Sequence, residues 1–413
     1  MRMSYSVSSK RSLPMWSFYN GGICLKSPNS YNESLRILEL SLSSDNGSSS
    51  ASGEEPQDAD YVLPLPYLSD EIETMILSRF PISKHWKMCC LNKKYLNLMK
   101  SGEVYKIRNM IGMKEASVFM LASGERNWCV FDGEFKSCKK LPIIPSDYKF
   151  ECGVKESFSA GTHLFVSGME IDGAVIWRYE LTRNEWFKGP SMITPRCVFA
   201  SASSNTFAYI AGGLETKNCI EVLNSAEKYN SENQTWQKLP NMNQKRKCCS
   251  GCYLDNKFYV IGGQDENQKN LTCGEFFDEK SNKWILIPNM LKDIVLSSPR
   301  SPPLIAVVND ELYTLDASSN EVKVYVKGTN LWKKLGFVPV RADIQGGLGI
   351  AFKSLGNELF VIGDSSSSCS HKTLMKIYSC LPHHDLEVLE WKEIVCGSGN
   401  IKPFIHNCAV MLA

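Results

Sequence analysis

Apolar and polar positions follow three different rules along the chain. Up to about residue 60 there is no period at all: Ser, Asn, Gly and Glu dominate, ending in SLSSDNGSSSASGEEPQDAD. So little apolar surface cannot offset ordering entropy, and residues 1–60 read as a disordered tail. Within it Leu38-Glu39-Leu40-Ser41-Leu42 alternates apolar and polar residues, a five-residue pattern that chance also produces.

From Leu65-Pro66 apolar residues recur at helical spacing, in LPYLSDEIETMILSRFPISKHWKMCCLNKKYLNLMKSGEVYKIRN. Ser69 is placed to cap a helix, Asp70 and Glu71 sit in its first turn, and Ile72, Met75, Ile76 and Phe80 share one face. Pro81 ends that helix, Ser83 can cap a second carrying Trp86, and a third carries Leu91, Tyr95, Leu98 and Met99 before Ser101-Gly102. Three short helices in about 40 residues are close to the smallest unit that closes a core alone, so some apolar surface should remain for a partner.

From residue 112 onward the period is that of strands broken by turns. The stretch NKFYVIGGQD at 256–265 sets a strand against two glycines, the opening of a phosphate cradle or of a plain tight turn. It recurs as LFVSG at 164, AYIAGG at 208, LYTLD at 312 and LFVIGD at 359, with no helix after it, which excludes a dinucleotide fingerprint. Each copy is followed by an aromatic in a second strand, at Tyr179, Tyr229, Phe277, Tyr325 and Tyr378. Seven residues beyond the first four stand Trp186, Trp236, Trp284 and Trp332, spaced 50, 48 and 48 apart, and Trp391 follows Tyr378 after a longer insertion.

A strand, a glycine pair, an aromatic strand and a Trp at a period near 50 resemble the kelch repeat, which implies one four-stranded β-propeller blade per repeat. Five repeats are plain. A sixth is degenerate, VFMLAS at 118 and WCVFD at 128, with Phe131 in register and Cys138 where Trp would stand. It lacks a first strand, while FIHNCAVML at 404–412 is a strand without a blade, so the C-terminal strand should complete blade one and bring the count to six. The helical stretch over 61–108 resembles an F-box, opening on Leu-Pro and continuing through CCLNKKY, with Tyr95 where the family usually has Trp.

The fold class expected is therefore mainly β: a six-bladed kelch propeller over 112–413, preceded by a small all-α F-box module and the disordered tail. The resemblance implies a non-catalytic substrate receptor of a Skp-cullin-F-box ubiquitin ligase, in the cytoplasm or nucleus, with Leu65, Pro66, Leu68, Ile72, Ile76, Trp86 and Tyr95 docking on the Skp-type adaptor. Arg196, Arg246 and Arg341 follow their tryptophans by 10, 10 and 9 residues. In kelch domains like this one an arginine there lines the channel mouth and grips acidic peptide of the target, for which guanidinium forks suit carboxylates. Blade four breaks the pattern with Ile294.

Bulk composition narrows the alternatives. At 413 residues, 43% hydrophobic and 22% charged, the chain can bury sizeable cores, and a net charge of +2 recommends neither nucleic acid nor membrane surface. Sixteen cysteines lie dilute and often within apolar runs, which fits free thiols in a reducing compartment; the sequons at Asn32, Asn46, Asn233 and Asn270 would matter only in a secreted chain. Cys249 and Cys252 form a lone CxxC without the further ligands a zinc site needs. Six histidines, no HExxH, no GxSxG and no Walker sequence point to no cofactor, although a metal-dependent kelch enzyme or a kelch scaffold stands as the alternative.

Overall fold

The computed structural model describes residues 69–413 apart from 218–219, 296–300, 344–345, 365–374, 384–387 and 396–403. The tail expected over 1–60, the alternation at 38–42, and Leu65, Pro66 and Leu68 lie outside the described residues.

Four helices come first: α1 (Asp70–Ser78), α2 (Ile82–Cys89), α3 (Lys93–Ser101) and α4 (Glu103–Met110). Ser69 caps α1 by accepting from the Ile72 N–H at 3.4 Å. Pro81 occupies the N-cap position of α2, so Ser83 lies inside that helix instead of capping it. Its fixed φ both ends α1 and starts α2. Gly102, at φ +79°, ends α3 and lets the chain turn into α4, the helix that the three-helix reading missed.

The module's own core is small: Leu77, Met99 and Val104, with Met88, Cys89, Tyr95 and Leu98 packed against it. Towards it α1 turns Leu77 together with Thr74 and Ser78, and the Thr74 and Ser78 hydroxyls donate to the carbonyls of Asp70 and Met75 respectively. Ile72, Met75, Ile76 and Phe80 do share a face, and it is the exposed one.

Six four-stranded antiparallel sheets follow. Blades 2 to 6 each run outward in chain order, from Glu156–Ala160 to Glu185–Lys188, Ala200–Ser204 to Thr235–Leu239, Ser250–Leu254 to Lys283–Ile287, Leu304–Val308 to Leu331–Phe337, and Ala351–Leu355 to Lys392–Ile394. Blade 1 takes its first strand from the far end of the chain. Ile405–Leu412 pairs antiparallel with Ala116–Ala122, from Ala116 opposite Leu412 to Ala122 opposite Ile405. The predicted closure and the count of six are both borne out.

Six buried clusters lie between successive blades, and this is where the core sits. One joins Phe119 and Trp128 of blade 1 to Leu164 and Trp177 of blade 2, and so on round to a cluster joining Val118 and Phe131 to Phe360 and Ile377 of blade 6. Each sheet buries both faces against its neighbours, and the radial repetition leaves only short, protected edges.

The tryptophan column is the recurring fastener. Tyr179, Tyr229, Phe277 and Tyr325 stand directly opposite Trp186, Trp236, Trp284 and Trp332, with ring centroids 5.1 to 5.5 Å apart. Every indole N–H reaches back to a carbonyl at the end of the preceding blade: Pro142, Pro190, Pro240, Met290 and, for Trp391, Phe337, at 2.7 to 3.0 Å. In blade 1, Cys138 lies opposite Phe131 in the same register.

Candidate functional site

Four antiparallel strands per blade put the first-to-second and third-to-fourth turns at one end of the ring and the remaining loops at the other. The helical module sits at the first end. Lys114 bonds Asn205 in the first turn of blade 3, and Gly102 approaches Thr182 in the last turn of blade 2. Glu115 clips the module in place. One of its carboxylate oxygens holds the fully buried Arg108 at 2.8 Å, the other accepts the Ile82 N–H at 2.9 Å, and its backbone pairs with Ala413. Arg108 also donates to the carbonyls of Ser78 and Phe80, so the end of α1, the start of α2 and the closing strand share one node.

This node fixes the direction in which the apolar face points. Ile72 is 48% exposed, Ile76 44% and Trp86 52%, with Met75, Phe80 and Leu91 also exposed beside them in sequence. Tyr95 is half-buried instead, and its hydroxyl donates to Glu73 at 2.9 Å. The Lys94 ammonium, and after it that bond, hold the Glu73 carboxyl below its usual range. Inside the module His85 is bonded to the Tyr105 hydroxyl and the Phe80 carbonyl, and burial lowers its pKa, so it is neutral at pH 7.

At the opposite end of the ring the arginines divide. Arg196 and Arg246 are fully buried, and each is spoken for. Arg196 donates to Glu227 at 2.6 Å and to the carbonyls of Ser225 and Gly212; Arg246 donates to Glu275 at 2.6 Å and to the carbonyls of Gly262 and Cys273. Each carboxylate also accepts two backbone N–H groups, from Ile193 and Thr194 in one case and from Asn243 and Gln244 in the other. The expectation that these two guanidiniums face a target is corrected on that ground: a fork already filled inside the blade has nothing to offer outside. Arg341 is exposed.

The reason lies in the partner column. Glu227 and Glu275 stand two residues before the blade aromatic, whereas blades 5 and 6 carry Lys323 and Lys376 there. Lys323 turns to Asp316 at 2.7 Å and Lys376 to Glu393 at 3.0 Å, so Arg341 has no acid waiting in the blade position that serves the other two. Sequence reasoning missed the two glutamates although they recur in register.

The glycine pair belongs to the same construction. Gly262 and Gly263 take φ +65° and +90°, and a Cβ on Gly263 would lie 2.4 Å from the Lys247 carbonyl. The turn is tight because another backbone crosses it and because Arg246 grips the Gly262 carbonyl.

Cys249 and Cys252 enter different inter-blade cores, one towards blade 3 and one towards blade 5, and burial pushes both thiols up to about 12. Among the described residues no three His, Cys, Asp or Glu side chains are grouped to hold a metal, and no helix is long and apolar enough to cross a membrane. The loop end opposite the helices exposes Ile143, Tyr148, Val154, Ile171, Ile193 and Ile220 around blades 1 to 3.

Comparison with known proteins places these features. The Kelch motif family model matches residues 195–243 and 245–291, the two blades that carry the buried arginine–glutamate pair. "F-box/kelch-repeat protein At3g27150" of Arabidopsis thaliana is 51% identical over 364 residues, covering 87% of this chain and 86% of that protein. "F-box/kelch-repeat protein At1g26930" of the same organism is 37% identical, covering 89% and 85%, and "F-box/kelch-repeat protein SKIP11" is 39% identical, covering 81% and 72%.

Proposed function

The chain belongs to the F-box/kelch-repeat family, and from that premise we propose that it is the substrate-receptor subunit of a Skp-cullin-F-box ubiquitin ligase. In this reading α1 and α2 dock on a Skp-type adaptor and through it on a cullin, while the propeller holds a target protein for ubiquitination. The chain itself performs no chemistry. Its contribution is effective concentration: a tethered target meets the ubiquitin-carrying enzyme intramolecularly.

One observation carries the reading. A module with so small a core keeps Ile72, Ile76 and Trp86 on its surface, although turning them inward would bury far more apolar area. Exposed aliphatic and aromatic groups of this size on the first two helices suit a protein partner, with Trp86 as anchor. Leu65, Pro66 and Leu68 would extend the same face; Tyr95 would support it from behind through Glu73.

The rigid node at Glu115 gives the second half of the mechanism. It ties the docking helices to the closing strand, so the adaptor and the target end of the ring are held at a fixed separation. The target would be met at the loop end away from the helices, where Arg341 and the exposed aliphatic side chains lie. Co-purification of the full chain with a Skp-type adaptor tests the docking half. Wild type should retain the adaptor, and Ile76→Asp should lose it by at least about tenfold, because a charge placed in a desolvated apolar contact is left unpaired. Equal retention by both would sink the assignment.

A further inference from the structure

Two glutamates at the loop end of the ring are completely provided for, and a third is provided for by half. Glu227 and Glu275 each receive one arginine and two backbone N–H groups. Glu156, the first residue of the innermost strand of blade 2, receives a single N–H, from Val198 to Oε1 at 2.8 Å. Its other oxygen, Oε2, is out of contact with solvent and has no donor among the described residues. The residue as a whole keeps partial exposure.

Building on the receptor reading, we propose that Glu156 is the point at which the propeller receives a cationic side chain, lysine or arginine, of the protein it recruits. The missing element, judged against its two complete counterparts, is a guanidinium or ammonium. Among the described residues no cationic group is bonded to Oε2. The thiols that face Glu156, Cys197 from the loop after blade 2 and Cys248 from the loop after blade 3, are held protonated by burial, Cys197 up to about 12. Lys155, next in sequence, points its ammonium to the carbonyls of Glu151 and Gly153. Burial raises the Glu156 carboxyl to about 7, the behaviour of an acid waiting for a counter-charge.

The surrounding backbone is built to hold that acid in place. Val198, a β-branched residue, sits at φ +50°, and so does Cys248, whose N–H bonds the Val198 carbonyl at 2.9 Å. L-residues with branched side chains rarely adopt that conformation, and it persists where neighbours over-determine it. The strain aims the Val198 N–H at one oxygen and leaves the other free. The sign of the charge recognised here is thus the reverse of what the arginine column suggested: Arg196 and Arg246 are filled, and the open position beside them is an acid.

The test uses the full chain and two small probes, N-acetyl-arginine amide and its neutral isostere N-acetyl-citrulline amide. With the glutamate carboxyl carbons labelled with ¹³C, the Glu156 signal is assigned by its loss in Glu156→Gln. The arginine probe should shift that signal saturably, and the citrulline probe should bind at least about tenfold more weakly, since charge-assisted bonds are the stronger. Equal response to both probes, or no saturable shift, overturns the proposal. The isostere comparison stands on wild-type protein, so it does not depend on how the variant folds. Loss of the adaptor would overturn the receptor reading without touching this titration; a flat titration in a chain that still holds the adaptor would remove Glu156 alone.

Discussion

Trp284 in the propeller is 8% exposed, lies against Phe277 and Phe258, and donates its indole N–H to Pro240. Trp86 in the helical module is 52% exposed, with the Lys87 ammonium 5.5 Å from its ring centroid. The same residue type closes a joint in one region and is held open in the other. In the ring, each sheet has a neighbour on both sides, so every large side chain finds a cavity to fill. Four short helices bury only a small core, and the apolar side chains left over are exposed. Burial in the propeller is therefore about shape, and exposure in the module is about another molecule.

The largest break in that contrast should come from charge inside the ring. Arg246→Ala would leave Glu275 buried with two backbone N–H groups, the Asn243 side-chain amide and no cation. Removing one member of a buried pair typically costs about 3–5 kcal/mol, far more than the pair gains over apolar substitutes. Urea unfolding should show the midpoint falling with an unchanged slope. Arg341→Ala, on the surface, should change stability by less than about 0.5 kcal/mol. If the two substitutions cost the same, the distinction between filled and open arginines is wrong.

Those arginines also mark what the sequence could and could not reveal. The tryptophan column was legible because one blade's geometry demands the same aromatic contact at each turn of the ring, so the spacing survives in the primary structure. Blade 1 was legible through Phe131 despite Cys138, and the wandering last strand through the gap it had to fill. Burial was not legible. Arg196 and Arg341 occupy the same step of the repeat, yet one is sealed and the other exposed, because the deciding residue, Glu227 or Lys376, lies about 30 residues further on in a different strand. The helical face was recognised from its period, while the side of α1 that would be buried depended on α3 and α4, and no local pattern fixes that. Glu156 does not recur in register and left no periodic signal.

A smaller effect should appear with pH. The Glu156 carboxyl is raised to about 7 from an ordinary value near 4.5, so the folded state holds its proton more tightly than the unfolded chain does. The stability this contributes is fully present below pH 4.5 and is lost as pH rises towards and through 7. A shift of that size corresponds to about 2 kcal/mol once the residue's partial exposure is allowed for. His85 and His163, both lowered by burial, act in the opposite sense as pH falls below 6.5. The informative quantity is therefore the difference between wild type and Glu156→Gln, in which the histidines cancel. That difference should move in favour of the variant between pH 5 and 8; a difference independent of pH would mean that Glu156 is ionised in the fold throughout.

The smallest stability change expected is also the one that sharpens the opening contrast most. Trp86→Ala removes the largest exposed side chain of the module, and in the isolated chain it gives up little packing, so unfolding free energy should stay within about 0.5 kcal/mol of wild type. Trp284→Ala should lose about 3–5 kcal/mol, since it empties an inter-blade joint and strands the Pro240 carbonyl. Adaptor binding should rank the two the other way. Trp86→Ala should weaken it by at least about 2 kcal/mol, the range of an interface anchor, and Trp284→Ala should leave it nearly intact at temperatures where the ring is still folded. Were Trp86→Ala to destabilise the chain as Trp284→Ala does, its exposed face would be part of the fold's own packing, and the outward-facing group would no longer argue for a partner.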